Sequence, residues 1–545
     1  MNDFIDPKNR RRRRQIMQLK DVNQLSNSNK SRRAFLLGSA GFLGGTALLY
    51  GCGYDGENTR GGNTASGSKT PQGALREISL EARTAEIEIA SGRKITAWTY
   101  DGKFPGTEIR IKEGEQLRVT LKNNLPEDTS IHWHGIHQKG TNNMDGIPRL
   151  TQPPIPAGAA MVYDFTANAP GTYFYHPHSG LQIERGLSAA LIVEPKQEAL
   201  SYDREYTLVL DDWLDGSPDL AFEQLKHGIA PANGLPTNSS QSSSSDEGGM
   251  MEMGHGGGMT GMGGGMSEGE ACCANPDVAY STYIINGRAP EAAPEFVVKR
   301  GDRVRFRVVN AAGATVFRVA AQGHKLSVTH SDGFPVQPVE VDAFEISPGE
   351  RYDFLIAANN PGAWAIVAAA MGEPQRAARG VLRYADAPGA RNPPLDLLPS
   401  ELDGEVLDLD DLTSLDDLDF PQITNEPDRA VDLVLSGSRR PYEWLINGKR
   451  GFDEPFEIRS RERVRVRVMN RTMMWHPMHL HGHSFRVING GETRNAPVKD
   501  TVLVKPMMHG QVELEFFADN PGNWLVHCHH AYHLAAGMER VFKYV

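Results

Sequence analysis

Cysteine is scarce in this chain. Its 545 residues include four cysteines, Cys52, Cys272, Cys273 and Cys528. Four cysteines cannot form a dense disulfide framework, and two adjacent cysteines are poorly placed to bridge each other. We therefore expect the cysteines to serve chemistry other than cross-linking.

An excess of positive charge is also missing, because the net charge is −11. The first 51 residues hold ten Lys/Arg and three Asp/Glu, so the chain without them would carry −18. Nucleic-acid binding needs a basic surface, and this charge balance argues against it. An acidic body is instead compatible with attracting cationic substrates.

The N-terminal region lacks an apolar run long enough for a clear membrane span. Its apolar run over residues 34–50 has 17 residues, several of them glycine, whereas a span needs roughly 20 predominantly apolar residues. The run follows Ser31-Arg32-Arg33. Residues 1–52 therefore predict a twin-arginine export signal rather than a membrane helix, and we expect a protein of the periplasm or cell envelope.

The end of this signal resembles a lipoprotein cleavage box. The box would be Leu49-Tyr50-Gly51-Cys52, although Tyr50 is bulkier than such boxes usually carry. Residues 53–74 would form a flexible linker behind a lipidated Cys52. An anchored and a freely soluble mature protein are equally compatible with this pattern, and lipid on Cys52 is the one membrane attachment that we predict.

Short stretches rich in Val, Ile, Thr and aromatic residues, separated by Gly and Pro, favour strands. Three segments share an alternating strand that ends in Asn and, later, a Pro-Gly turn that leads into an apolar strand. The alternating strands are "GEQLRVTLKN", "GDRVRFRVVN" and "RERVRVRVMN", and the closing strands are "APGTYFYHPH", "NPGAWAIVAA" and "NPGNWLVHCH". Period-two alternation is typical of half-buried sandwich strands. We predict an all-β chain with three homologous β-sandwich domains.

Histidines stand at equivalent positions in only two of the three repeats. Copies one and three carry them after the Asn and in the closing strand, whereas copy two has Ala311-Ala312-Gly313 and Ile366-Val367-Ala368 there. We interpret the second domain as a spacer. A site built by the first and third domains would then lie at their interface.

Ten of the eighteen histidines are candidate metal ligands, and they stand in four clusters. They are "HWHG" (His132, His134), "HPH" (His176, His178), "HPMHLHGH" (His476, His479, His481) and "HCHHAYHLAAGM" (His527, Cys528, His529, His533, Met538). Residues i and i+2 of a strand face the same side, so each His-x-His pair directs two imidazoles to one place, and Cys528 faces away from its neighbours. Cys528 with His476, His533 and the thioether of Met538 is the ligand set of an electron-transfer blue copper. A structural zinc site would need four ligands and leave most of the others unused.

With all four motifs in order, residues 75–545 resemble the three-domain multicopper oxidases, the laccase and copper-resistance-oxidase family. The resemblance implies four copper ions (type 1, type 2 and a binuclear type 3 pair) and three consecutive cupredoxin-like Greek-key β-sandwiches. Domain 1 would span residues 75–198, domain 2 residues 199–395 with a Met/Gly-rich insertion at 234–270, and domain 3 residues 425–545 after an acidic linker at 396–424. By the same resemblance, the type 1 ligands are His476, Cys528, His533 and Met538, and the type 2 ligands are His132 and His479. One copper of the type 3 pair would be bound by His134, His176 and His529, and the other by His178, His481 and His527.

The resemblance implies that a donor near type 1 gives up four electrons one at a time, which pass from Cys528 along the backbone to His527 and His529 and reduce dioxygen to water. No organic cofactor is needed. Asp145 in "NNMDGIP" matches the family's acidic residue near the trinuclear centre and would relay protons. The alternative interpretation of Asp145-Gly146 is an ordinary turn. Many relatives carry Glu where this chain has Leu534, so no second proton donor is assigned.

The substrate is suggested by a segment that cannot build a core. The insertion and the residues after it contain Met250, Met251, Met253, His255, Met259, Met262, Met266, Cys272 and Cys273. Thioethers and thiolates bind Cu(I), so we interpret the segment as accessory copper capture, with a low-complexity linker as the alternative. Met474 is placed like a substrate-site methionine of copper-efflux oxidases, but Thr472 stands where those enzymes carry a carboxylate. An axial Met538 suggests a modest type 1 potential, which suits Cu(I) or easily oxidised phenols.

We therefore expect a monomeric cuprous oxidase of copper tolerance with some laccase-like activity, using dioxygen and either Cu(I) or a phenol. A general laccase and a copper-sequestering protein are the alternatives. The acidic run at 401–419 is interpreted as a solvated interdomain segment, with a lid near type 1 as the other possibility.

Overall fold

The computed structural model describes residues 73–229, 277–373, 375–415, 418–423, 426–488, 495–506 and 510–545. The predicted export signal, Cys52, the Met/Gly-rich insertion at 234–270, Cys272 and Cys273 lie outside the described residues. Among the residues described, no helix has both the length and the apolar character needed to cross a membrane.

The first sandwich, residues 75–194, consists of two four-stranded sheets. Its strands are β1 (Leu75–Ala90), β2 (Arg93–Tyr100), β3 (Ile109–Lys112), β4 (Gln116–Asn124), β5 (His132–His134), β6 (Ala160–Thr166), β7 (Gly171–His176) and β8 (Ala189–Glu194). The strand orders are β2-β1-β4-β6 and β3-β8-β7-β5. Single turns of 3-10 helix occur at Asn142–Met144 and Gln182–Arg185.

The second sandwich, residues 204–407, consists of two six-stranded sheets. Its strands are β9 (Arg204–Trp213), β10 (Thr282–Ile285), β11 (Glu295–Val298), β12 (Arg303–Asn310), β13 (Phe317–Ala321), β14 (Leu326–Ser331), β15 (Phe334–Val341), β16 (Ala343–Ile346), β17 (Arg351–Ala357), β18 (Ala363–Ala370), β19 (Ala377–Tyr384) and β20 (Val406–Leu407). The orders are β10-β9-β12-β17-β14-β15 and β11-β19-β18-β13-β16-β20. Helix α1 (Pro218–Lys226) begins after Ser217, whose side chain accepts a hydrogen bond from the Leu220 amide.

Part of the predicted acidic linker has regular structure. β20 pairs in parallel with β16, so it extends a sheet of the second sandwich. Leu402 and Leu412 are buried, and 3-10 turns lie at Ser400–Asp403 and Leu409–Asp411, with another at Pro290–Ala292 earlier in the chain.

The third sandwich, residues 429–544, has sheets of six and five strands. Its strands are β21 (Arg429–Arg439), β22 (Tyr442–Ile446), β23 (Phe456–Ile458), β24 (Arg463–Asn470), β25 (His476–Leu480), β26 (Phe485–Ile488), β27 (Val498–Lys499), β28 (Thr501–Val504), β29 (Gln511–Phe517), β30 (Asn523–Cys528) and β31 (Glu539–Tyr544). The orders are β22-β21-β24-β29-β26-β27 and β23-β31-β30-β25-β28. Helix α2 (Ala531–Ala535) separates β30 from β31.

All three sandwiches share one topology. The Asn-terminated strands β4, β12 and β24 pair in parallel with β1, β9 and β21. In the other sheet, the closing strands β7, β18 and β30 pair antiparallel with β8, β19 and β31. The predicted all-β class and the three-sandwich architecture are confirmed, and the repeat in the sequence corresponds to a repeat in strand order.

Alternation decides which face of each strand is buried. Along β24, the side chains of Val464, Val466 and Val468 are buried, while Arg465 and Arg467 between them point away from the core. Burying a valine side chain stabilises the fold by roughly 1.5–3 kcal/mol. The largest apolar core continues from the second sandwich into the third.

Candidate metal centres

The predicted histidines lie at equivalent places in the first and third sandwiches. In the first, His132 on β5 lies opposite His176 on β7. In the third, His479 on β25 lies opposite His527 on β30. The repeated topology therefore brings two strand pairs, each carrying histidines, to one interface.

Strand geometry sorts the side chains between two faces. His132 and His134 point to the interface, whereas Trp133 between them is fully buried and packs on Tyr163 and Phe165 of its own sandwich. The tryptophan anchors the strand in the core of the first sandwich. The two imidazoles are thereby held toward the third sandwich.

The eight histidines of the four His-x-His pairs form one cluster. Nitrogen atoms of His178, His481 and His527 lie close enough together to hold one metal ion. The Nε2 atoms of His176 and His529 are 3.4 Å apart, and those of His481 and His527 are 3.0 Å apart. Further groups with metal-ligand spacing are His132, His479 and His481, and His132, His134 and His176.

Four of these histidines have a buried ring nitrogen without a hydrogen-bond partner: His132 Nε2, His134 Nδ1, His479 Nε2 and His529 Nδ1. Two of these rings are held by a backbone carbonyl oxygen on the other nitrogen: His132 Nδ1 lies 2.9 Å from that of Asp145, and His479 Nδ1 lies 2.9 Å from that of Asp500. Holding one ring nitrogen fixes the orientation in which the other can bind a metal. The donor set therefore fits a metal cluster.

Burial disfavours the protonated form of six of these imidazoles. Desolvation lowers the pKa of His134, His178 and His481 well below the usual value, and neighbouring imidazoles lower it further. The same causes act on His176, His527 and His529. A neutral imidazole has the free lone pair that metal binding requires.

Asp145 connects the two halves of the cluster. Its carboxylate accepts a hydrogen bond from His481 Nδ1 at 3.0 Å and lies 3.3 Å from His132 Nδ1. The side chain is fully buried. The predicted acidic residue is therefore in contact with histidines of the first and third sandwiches.

A second group of ligands surrounds Cys528. Its Sγ lies 3.6 Å from His476 Nδ1 and 3.6 Å from His533 Nδ1, and all three side chains are fully buried. Burial raises the pKa of the Cys528 thiol. Met538 is also fully buried, and its carbonyl oxygen accepts a hydrogen bond from the Cys528 amide at 3.0 Å. Cys528 is joined through the backbone to His527 and His529 of the first cluster.

Sequence reasoning missed Asp277, which reaches this second group. Its carboxylate is 3.0 Å from His533 Nε2, and it also accepts hydrogen bonds from Tyr442 at 2.5 Å and Arg439 at 2.6 Å. On the other histidine, the Thr472 hydroxyl lies 2.7 Å from His476 Nε2. A hydroxyl of the third sandwich thus contacts one histidine of this group, and a carboxylate of the second sandwich contacts the other.

The remaining predicted site residues are placed as follows. Met474 is buried, and its carbonyl oxygen accepts a hydrogen bond from the Asn470 side chain. The accessory copper candidates from Met250 to Cys273 lie outside the described residues.

A cavity of about 500 Å³ leads to the histidine cluster. His176, His178, His527 and His529 line it, together with Leu534 and Glu539. Burial raises the pKa of Glu539 to about 7. Small solutes such as dioxygen and water therefore have space beside four of the predicted ligands.

Known proteins give the same identification. Sequence models of the multicopper oxidase family match residues 81–198, 204–387 and 424–545. The chain is 35% identical over 531 residues to "Multicopper oxidase MmcO" of Mycobacterium tuberculosis, covering 94% of this chain and 97% of that one. It is 28% identical to "Copper resistance protein A" of Escherichia coli, covering 94% and 98% of the two chains. The crystal structure of Fet3p, a multicopper oxidase that functions in iron import, superposes with a TM-score of 0.69 at 22% identity, covering 86% of this chain and 90% of that one. The chain belongs to the multicopper oxidase family and is a copper-dependent oxidoreductase that uses four coppers of types 1, 2 and 3.

Proposed function

We propose that this enzyme oxidises Cu(I) to Cu(II) in copper tolerance and also oxidises phenols, with dioxygen as the electron acceptor. The balanced reaction takes four electrons from four Cu(I) ions and, with four protons, converts one dioxygen into two waters. The observation that carries the proposal is the Asp277 carboxylate, which lies 3.0 Å from His533 Nε2. The Asp277 side chain is buried and paired with Arg439. Its carboxylate therefore offsets the positive charge of that arginine, so that a cation can approach the residue through which electrons would enter.

The sequence order supports this choice of substrate. Cys273 precedes Asp277 by four residues, and four residues span at most about 14 Å of extended chain. Cys273, one of the residues proposed to bind Cu(I), is therefore tethered close to the carboxylate that contacts His533. The name of one relative, copper resistance protein A, agrees with this proposal.

We assign the ligands as the motifs predicted. Type 1 would be held by His476, Cys528, His533 and Met538, type 2 by His132 and His479, and the type 3 pair by His134, His176, His529, His178, His481 and His527. When bound, these coppers supply one-electron transfer and the reduction of dioxygen. The chain contributes the covalent connection from Cys528 to His527 and His529, and the Asp145 carboxylate as a proton carrier.

The Met-rich insertion provides the test of the substrate. Deleting residues 245–268 should reduce kcat/KM for Cu(I) by at least tenfold and leave that for a neutral phenol within about twofold, because only Cu(I) would use the thioethers. Replacing the same residues by a Gly/Ser segment of equal length is the matched control for loop length. Equal losses for both substrates would contradict copper capture and favour a general laccase.

A Cys528→Ser variant distinguishes a copper-sequestering role from an enzymatic role. This substitution removes the thiolate of type 1 and should abolish oxidase turnover. If turnover protects cells, the variant should lose copper tolerance completely. Retained tolerance would show that binding is sufficient and would contradict the enzymatic proposal.

We further propose that the enzyme is a monomer and is exported by the twin-arginine route to the periplasm or cell envelope. A lipid on Cys52 would anchor it there, and a mature protein without the lipid would be free. The domain limits at 75–198, 199–395 and 425–545 belong to the same proposal. Mass spectrometry of the mature N-terminus would detect the lipid and the cleavage site.

A further inference from the structure

Among the residues that the structure describes, the second sandwich contributes no histidine to the cluster, yet its backbone lies against it. A Cβ atom placed on Gly349 would lie 2.9 Å from Cδ2 of His529 and 3.0 Å from Cε1 of His134. Only a glycine fits this position without displacing a ring. Two residues further on, β17 begins with Arg351, a fully buried arginine.

Arg351 uses its whole guanidinium group. Its Nη1 and Nη2 atoms donate to the two carboxylate oxygens of Asp500, at 2.7 and 2.5 Å. Its remaining donors reach the carbonyl oxygens of Thr172 at 3.0 Å, Gly349 at 2.9 Å and Asp332 at 3.2 Å. These partners come from all three sandwiches, so one side chain of the second sandwich fixes the position of a carboxylate in the third.

Asp500 in turn contacts two predicted copper ligands. Its Oδ1 atom is 3.2 Å from His134 Nε2, and its carbonyl oxygen is 2.9 Å from His479 Nδ1. The opposite nitrogens, His134 Nδ1 and His479 Nε2, are the unpaired ones. The Thr501 hydroxyl also lies 3.1 Å from both His134 Nε2 and His479 Nδ1. Asp500 and its neighbour Thr501 therefore together determine which nitrogen of each ring is available to a metal.

The surrounding charges hold Asp500 in its ionised form. Burial alone would raise the pKa of Asp500, but the Arg351 guanidinium holds that pKa well below its usual range. Asp332 accepts hydrogen bonds from the Asp500 and Thr501 amides, both at 3.1 Å, and pairs with buried Lys499 at 3.2 Å. The carboxylate is thus fixed in both charge and position.

We propose that Arg351 is a positioning residue of the trinuclear site, which acts through Asp500 to set the ring orientation of His134 and His479. Without the guanidinium, the buried carboxylate would lose the two hydrogen bonds that hold it in place and would move. This movement would release the two rings. This inference rests on the proposed assignment of His134 to type 3 and His479 to type 2, and it is independent of the electron donor.

The test is an Arg351→Gln variant, analysed for copper. We expect type 2 copper to dissociate into a chelator at least ten times faster than in the unsubstituted protein, with an altered type 2 electron paramagnetic resonance signal. The blue type 1 absorbance per chain should be unchanged. Arg351→Lys keeps the charge but cannot donate in a fork, so it should give an intermediate dissociation rate.

Arg305→Gln is the matched control. Arg305 is an equally buried arginine of the second sandwich, and its Nη2 atom donates to Asp353 at 2.5 Å, away from the histidines. The Arg305→Gln variant should lower the melting temperature without changing the rate at which type 2 copper is released. The proposal is wrong if Arg351→Gln releases type 2 copper at the rate of the unsubstituted protein and keeps its spectrum. It is also wrong if the variant loses type 1 and type 2 copper equally. If Arg351→Gln is insoluble, the Arg351→Lys variant is judged by the same criteria. Because the readout is copper retention, a different electron donor would leave the result unaffected.

Discussion

At the scale of single residues, the ligands and their supports differ in how visible they are in the sequence. His132, His134 and Cys528 stand in short motifs. The two-residue period of a strand predicts that the imidazoles of His132 and His134 point to one side and that Cys528 points away from its neighbours. Asp277 stands in no motif, and its partner His533 is 256 residues away. Its position could not be predicted, because only the packing of the second sandwich on the third brings the two together.

Two histidines that are not predicted metal ligands make equivalent contacts in the third and second sandwiches. His483 lies 2.7 Å from the Tyr544 hydroxyl, and His324 lies 2.7 Å from the Tyr384 hydroxyl. Each ring stacks on its tyrosine. Burial lowers the pKa of His483 to about 4, so it packs as a neutral ring. These side chains support the closing turns of the third and second sandwiches.

An Asp277→Asn variant tests the role of the carboxylate beside His533. We expect kcat/KM for Cu(I) to fall about tenfold or more, equivalent to about 1.4 kcal/mol, because the variant no longer offsets the positive charge of Arg439. A neutral phenol should be affected much less. Steady-state kinetics with both donors provide the measurement, and Asp432→Asn, an exposed carboxylate paired with Arg467, is the control. Parallel losses for the two donors would exclude this electrostatic role of Asp277.

At the scale of elements, one asparagine ends the equivalent strand in each sandwich. Asn310 Nδ2 donates to the carbonyl oxygens of Thr315 and Ile346, at 2.9 and 2.8 Å, and its Oδ1 accepts from the Ala312 amide. Asn123 and Asn470 make the same kinds of bonds in their own sandwiches. The sequence showed the repeated Asn, but the bonds that explain it join loops distant in the chain. A side-chain amide is needed here because it donates and accepts at once.

Replacing these asparagines by alanine should separate stability from copper binding. Asn310→Ala leaves buried carbonyl and amide groups without partners, so we expect a loss of about 2–4 kcal/mol in unfolding free energy with copper content unchanged. Asn470→Ala should also weaken the blue absorbance, because the loop after Asn470 leads to His476. Thermal unfolding and absorbance at equal protein concentration measure both effects, with exposed Asn359→Ala as control. Loss of blue colour in Asn310→Ala would show that the two sandwiches are more strongly coupled than we infer.

At the scale of the whole molecule, the sequence predicted that the first and third sandwiches meet around a shared cluster. Two repeats carry histidines at equivalent positions, and the repeat between them lacks histidines at those positions. This pattern was sufficient for the prediction, and the converging nitrogen atoms agree with it. The interpretation of the second sandwich as a spacer was incomplete. Gly349 lies directly against His134 and His529. A glycine and an arginine give no sequence signal of such contacts, since these depend on how three sandwiches pack together.

Asp145 lies at the interface between the first and third sandwiches, beside the histidines predicted to bind the trinuclear copper cluster. This position leads to a prediction for the reduction of dioxygen. Its carboxylate accepts a hydrogen bond from His481 and lies beside His132. An Asp145→Asn variant can still accept that hydrogen bond but cannot carry a proton. We therefore expect full copper content, normal anaerobic reduction of the blue centre, and reoxidation by dioxygen about 100-fold slower. Stopped-flow absorbance measures the two half-reactions separately. Asp164→Asn, which removes a carboxylate paired with Arg118 in the first sandwich, should leave both half-reactions unchanged. Unaltered reoxidation in Asp145→Asn would assign the proton delivery to another group and leave Asp145 as a support for the two histidines.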